Sequence, residues 1–97
     1  MRVLLNAEGR VTAVKQAVEA CAFGQASGAL VGAHAVGRNR TEAEAALERV
    51  EAWLGGVGDE PWPGMAVLEP ARARRGRHGA ILLPFRALVA AIARTSA

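Results

Sequence analysis

The alternation of apolar and polar positions changes period several times along the chain, and each change marks an element. Residues 1–6 read as a strand, and Ala7-Glu8-Gly9-Arg10 then supplies a turn in which Gly9 is free to take positive φ. Residues 11–20 are expected to return as the partner strand. Val11, Val14 and Val18 also fit a helical stripe, but the short preceding loop and the Val-Thr and Ala-Val pairs favour a β-hairpin. A first helix is expected to begin at Phe23 or Gly24 and to end at Gly37, the residue just past its last turn, with Leu30, Ala33 and Val36 as its apolar set.

The second helix has clearer punctuation. Thr41 is the expected N-cap, with Glu44 three residues on completing a capping box, and Glu42 and Glu44 suit the positive end of the dipole. Leu47, Val50 and Leu54 form its inward stripe, leaving Glu44, Glu48, Arg49 and Glu51 to water. Residues 55–64, rich in Gly and Pro, are a loop that Trp62 is expected to anchor by packing. A short helical turn over residues 65–68 precedes Pro70. The last helix should start between Gly79 and Ile81 and bury Ile81, Phe85, Leu88, Val89 and Ile92. Pro84 is harmless only near the first turn and otherwise predicts a kink. The expected fold is α+β, a small antiparallel β-sheet beginning with the N-terminal hairpin and packed on one face against helices, in a single domain spanning residues 1–97.

Composition narrows the class. A chain of 97 residues, 52% hydrophobic and 22% charged, is ordinary for one globular domain. Residues 79–85 and 87–93 are apolar but interrupted by Arg86, and the expectation is that nothing here spans a bilayer. No secretory pattern follows Arg2, so a bacterial-type cytoplasmic protein is expected, in keeping with one free thiol. The net charge of +3 is uneven. Arg72, Arg74, Arg75, Arg77, Arg86 and Arg94 follow Glu69 with no acid among them, either as a solvated face or as a surface for an acidic partner. Trp53, Trp62, Phe23 and Phe85 do not interleave with these arginines, which argues against a nucleic-acid platform.

The chemistry centres on the single cysteine. Cys21 cannot form an internal disulfide, and Gly24, Ala26, Ser27, Gly28 and Ala29 beyond it are small enough to let a backbone, an inorganic ligand or a partner's tail approach. At a helix N-terminus its thiolate would be favoured, making it a sulfur acceptor or soft-metal ligand; the alternative is an inert cysteine filling a gap. No nucleophile elbow accompanies Cys21 or Ser27, the glycines at 55, 56 and 58 lack the following lysine of a phosphate loop, and no carboxylate pair stands out. The chain is therefore not expected to be an enzyme.

Taken in order, the hairpin leading into Cys21, the Gly24-Gln25-Ala26-Ser27 helix start, the Thr41-Glu42-Ala43-Glu44 helix, the Pro70-Ala71-Arg72 segment and the terminal helix 81–88 resemble the NifU/IscU-type (SufU-like) iron-sulfur cluster assembly scaffold family. The resemblance covers nearly the whole chain and implies a SufE/NifU-like architecture. It implies a nascent iron-sulfur cluster, or zinc, held by three cysteines plus an aspartate or histidine, with a cysteine desulfurase delivering sulfur. Cys21 matches the middle cysteine of that set. The first would precede Met1, so a missing N-terminal segment is expected, and the third falls at about Ala80, which cannot ligate. His78, two residues earlier, is the candidate substitute, and His34 is a further candidate. Clusters and structural zinc want four ligands, so a site on this chain is incomplete unless a second copy or a partner contributes. Single-cysteine sulfur acceptors sharing this fold carry their cysteine before the hairpin, unlike Cys21.

The resulting expectation is an iron-sulfur assembly scaffold-like protein in which Cys21 takes sulfide or ligates one iron. Its alternative is a metal-free interaction module that docks a desulfurase, chaperone or cluster-transfer protein through Arg72, Arg74, Arg75 and Arg77.

Overall fold

The computed structural model describes residues 1–18 and 20–96. Strands β1 (Arg2–Leu5) and β2 (Val11–Lys15) form an antiparallel pair, and the helices α1 (Ala22–His34), α2 (Arg40–Leu54) and α3 (His78–Ser96) pack with it around one core. The architecture is the expected α+β hairpin-plus-helices arrangement.

The hairpin turn works as its sequence suggests, with Gly9 at φ 77°. Asn6, which the hydrophobic pattern does not single out, holds it: its Oδ1 accepts from the amides of Glu8 (3.0 Å) and Arg10 (2.9 Å). The second strand stops well short of residue 20. Lys15 pairs with Arg2, the first residue of β1, so no partner remains for the chain beyond it. Val3 and Val11 enter the core, while Leu4 faces outward.

Helix α1 begins earlier and ends earlier than expected, with Cys21 as its N-cap and Ala35 as its C-cap; Gly37, at φ 91°, lies in the turn beyond. Its inward face also differs. Gly24, Ser27, Gly28 and Val31 are buried at helical spacing, whereas Ala33 and Val36 are exposed and Leu30 is half-buried. Small residues face inward because α1 lies close against α3, and a bulky stripe would hold the two helices apart.

Helix α2 is capped by Asn39, not Thr41. Asn39 Oδ1 accepts from the Glu42 amide (2.9 Å) and Glu42 Oε1 accepts from the Asn39 amide (3.1 Å), a reciprocal capping box two residues ahead of the expected one. Glu44 pairs instead with Arg40 on the surface. Ala43, Ala46, Val50, Trp53 and Leu54 are buried, and Leu47 only partly.

The loop after α2 is anchored by Trp62, which is 1% exposed. Its Nε1–H donates to the Leu30 carbonyl (2.8 Å), its ring meets Phe85 edge-on at 5.2 Å, and the Arg38 guanidinium lies 3.9 Å above it. The short turn expected after the loop is a longer 3₁₀ segment, Met65–Ala73, that contains Pro70; a second, Arg75–Arg77, leads into α3.

Helix α3 starts at His78, so Pro84 lies in its second turn and is buried there. The proline has no N–H to offer, which leaves the Ala80 carbonyl without its helical donor. With Arg75–Arg77 included, this last helical stretch is long and apolar enough to cross a bilayer, so Arg86 does not interrupt it as supposed. Ile81, Leu82, Phe85, Leu88, Ala91 and Ile92 are nonetheless buried against the other elements, as in a core helix.

Candidate functional site

Cys21 sits where extended chain turns into α1 (φ −64°, ψ 171°), with its side chain exposed to solvent. Its carbonyl accepts the Gln25 amide (2.9 Å), the first closed turn of the helix, and the Gln25 side chain donates to the Ala20 carbonyl (3.0 Å) on the other side of the cysteine. Its Sγ makes no capping hydrogen bond, yet the amide dipoles of the first turn face it. The thiol is accordingly held below its ordinary value. The Gly24 amide contributes most, partial desolvation opposes it, and the Phe23 amide and the Arg77 charge lower it further. A thiolate that is exposed and stabilised by dipoles and one guanidinium is a nucleophile.

The small residues beyond Cys21 do not hold space open. A Cβ on Gly24 would lie 2.7 Å from Ala20 Cβ and 3.4 Å from the Ala80 carbonyl oxygen; one on Gly28 would lie 2.9 Å from Val18 Cγ2. Ser27 is buried, and its hydroxyl donates to the Ile81 carbonyl (2.6 Å). The room these residues create is filled by the protein's own chain, so of the alternatives open in the sequence it is the close approach of another segment, and not of a ligand or a partner's tail, that occurs there. An apolar cavity of about 300 Å³ does open nearby, lined by Gln16, Val18, Ala20, Gly24, Leu83 and Pro84 among others, but Cys21 is not part of its wall.

His78 lies at the start of α3 with its ring turned toward the 3₁₀ segment. Its Nε2 is 3.1 Å from the Ala71 carbonyl and 3.0 Å from that of Arg72. Carbonyls only accept, so Nε2 carries the proton and Nδ1 alone keeps a lone pair. The ring borders a second cavity, of about 560 Å³, with Leu54, Glu69, Arg72 and Arg75; Cys21 is not in its wall either. His34 is exposed at the far end of α1, about 20 Å along the helix from Cys21 at 1.5 Å per residue. The structure thus does not bring the three candidate ligands together. Among the described residues no three His, Cys, Asp or Glu side chains converge on a point where a metal ion could bind. Among the described residues, these side chains do not make up the four-ligand set of a zinc or iron-sulfur site.

The arginines separate into two kinds. Arg72 is half-buried: its Nε donates to the Trp53 carbonyl (2.7 Å) at the end of α2, its Nη1 pairs with Glu69 (3.1 Å), and its guanidinium lies 4.8 Å over the Trp53 ring. It is a strut between the 3₁₀ segment and α2. Arg74, Arg75 and Arg77 are exposed. Of these, Arg77 is the one whose charge reaches the thiol, a coupling across 56 residues of sequence that no local pattern announces.

Comparison with known proteins bears on the whole arrangement. The crystal structure of the N-terminal part of a nitrogen-fixing NifU-like protein from Brucella abortus superposes with a TM-score of 0.83 at 29% identity, over 97% of this chain and 67% of that one. The fold is NifU-like. No protein-family model matches the chain, and no curated protein matches it. Within this NifU-like fold Cys21 is the one thiol, placed on an exposed helix N-terminus.

Proposed function

We propose that this chain works in iron-sulfur cluster assembly as a non-catalytic sulfur acceptor, in the cytoplasm, with Cys21 as the receiving group. What supports the reading is the exposed, dipole-stabilised thiol at the N-cap of α1 in a NifU-like fold. The Cys21 thiolate attacks the terminal sulfur of a donor persulfide. A new S–S bond forms to Cys21 as the donor's own S–S bond breaks, and the electron pair leaves on the donor's thiolate. One sulfur atom moves, with no net oxidation. A cysteine desulfurase is the natural donor, and Arg74, Arg75 and Arg77, exposed on the segment whose last arginine acts on the thiol, form the surface that receives it. Arg72 is committed to Trp53 and Glu69 and is left out of that surface.

Whole-protein mass spectrometry after exposure to a persulfidated desulfurase tests this directly. The native chain should gain one sulfur atom and Cys21→Ser none. Charge reversal at Arg74, Arg75 and Arg77 should slow transfer without changing its end point. A native protein that stays unmodified under donor excess refutes the assignment.

A further inference from the structure

We infer that the cavity between α2 and the loop that follows it binds the phosphate group of a small anion, held between the guanidinium groups of Arg38 and Arg49. The cavity, of about 350 Å³, is lined by these two arginines with Glu60, Pro61, Trp62 and Pro63. Arg38 bonds the C-terminal end of α1, the opposite end from Cys21, so the site does not depend on the thiol.

Arg38 is fixed before any ligand arrives. Its Nε donates to the His34 carbonyl (2.9 Å), and its guanidinium lies 3.9 Å above Trp62, a buried ring tied down by Leu30 and Phe85. One edge and one face of the group are thereby used, while its terminal nitrogens bond nothing among the described residues. A guanidinium held in this way has less freedom left to lose on binding an oxyanion. Its charge is also under-compensated. The acids in the first turns of α2 are engaged elsewhere, Glu42 with Arg10 and Glu44 with Arg40. Arg49 is exposed and, like Arg38, forms no ion pair among the described residues. Burial pushes Arg38 below the ordinary guanidinium value; Glu42 offsets part of that, and the like charge of Arg49 adds to it. An anion between the two arginines relieves both penalties. Phosphate is the oxyanion that suits two forks. A carboxylate has two oxygens, enough for one planar fork, whereas phosphate presents more and engages both. Glu60, the acid in the wall, repels such a ligand and limits its affinity.

Titration of the full chain with inorganic phosphate at constant ionic strength, followed through backbone-amide and arginine side-chain resonances, tests this. Saturable shifts should appear at Arg38, Arg49 and residues 60–63. Arg49→Gln breaks no hydrogen bond or ion pair among the described residues, and should weaken binding about tenfold or more. Glu60→Gln should strengthen it about twofold. Glycerol phosphate, titrated in parallel, identifies the source of the phosphate group. Tighter binding than that of inorganic phosphate marks an organic ligand whose body rests on Pro61 and Pro63; equal or weaker binding marks free phosphate. Cys21→Ser should bind phosphate as the native protein does, so failure here and failure of the sulfur-acceptor reading are told apart. A titration that never saturates under phosphate excess overturns the inference. So does acetate binding as tight as that of phosphate, or an affinity that Arg49→Gln leaves unchanged.

Discussion

Two helix N-termini in this protein solve the same problem in opposite ways. At α2 the orphan amides are met by a reciprocal box: Asn39 and Glu42 bond each other's backbone, and Arg10, reaching from the hairpin turn, bonds both Glu42 Oε1 (2.6 Å) and the Gly37 carbonyl (2.7 Å). The cap side chain, its reciprocal glutamate and the arginine all bond one another or the backbone, and the result is structural. At α1 the cap is a cysteine that makes no such bond, and the amides of Phe23 and Gly24 are left to stabilise charge on an exposed sulfur. Cysteine is a poor cap beside Asn, Ser or Asp. This position forgoes a cap hydrogen bond and leaves its thiol more acidic than an ordinary one.

The comparison breaks most readily at the α1–α3 junction. Gly24→Val would drive side-chain atoms into Ala20 and the Ala80 carbonyl, neither of which is the yielding end of a long side chain. Overpacking of this kind costs about 2–3 kcal/mol, or roughly 10 °C or more in Tm. Thermal unfolding should show that loss, and an unchanged Tm would mean that the two helices are not in close contact. Next comes the cap of α2. Asn39→Ala removes one half of the box and strands the other, at a cost of about 1–2 kcal/mol read from urea midpoints at constant slope. The converse exchange at α1 should run the other way. Cys21→Ser introduces a better cap and should raise stability by about 0.5 kcal/mol while abolishing thiol reactivity. A variant that is less stable than the native protein would show that the sulfur packs, and would count against its being kept for reaction.

The difficulty of reading these two termini from sequence has a physical origin. Asn39…Glu42 and Thr41…Glu44 are both legitimate boxes, offset by two residues, and local pattern ranks them equally. Arg10 breaks the tie from 32 residues away, an ion pair that exists only once the hairpin and α2 are in place. The position of Cys21 at a helix start was legible because Gly, Ala and Ser dominate residues 22–29. What those small residues do was not legible, since the same composition suits an open ligand pocket and a close helix crossing; only the placement of α3 distinguishes them. His78 illustrates the same limit. Its candidacy rested on its sequence position, whereas its ring direction comes from the 3₁₀ turn immediately before it, which aims Nε2 at Ala71 and Arg72. The order of elements and the anchoring role of Trp62 were open to reading because Gly and Pro clusters and apolar spacing are local signals.

The finest test separates the two termini by titration. Both carry an acid held below its ordinary value. For Glu42 the Asn39 amide is the main cause, with the Arg10 hydrogen bond second; for Cys21 it is the Gly24 amide. An acid whose folded-state value is depressed adds stability above its unfolded value and loses it as pH falls through the folded one. Glu42 therefore contributes throughout the neutral range, and its share disappears only on acidification below the usual glutamate range. Both partners of the Arg10–Glu42 pair are about half exposed, so the effect is small and should shrink further in salt. Cys21 contributes only at alkaline pH, above the ordinary thiol value, and that share fades as pH falls through its lowered value. Comparing native protein with Glu42→Gln and Cys21→Ser over the full pH range should show two separate changes: the stability difference from Glu42→Gln holds at neutral pH and closes on acidification, while the ionisation-dependent difference from Cys21→Ser opens as pH rises through the alkaline range, an alkaline divergence. Alkylation of the folded native protein should inflect at the same lowered value that marks the alkaline divergence. An inflection at the ordinary thiol value would mean that the α1 amides do not act on the sulfur, and the contrast between the two caps would reduce to a difference in packing.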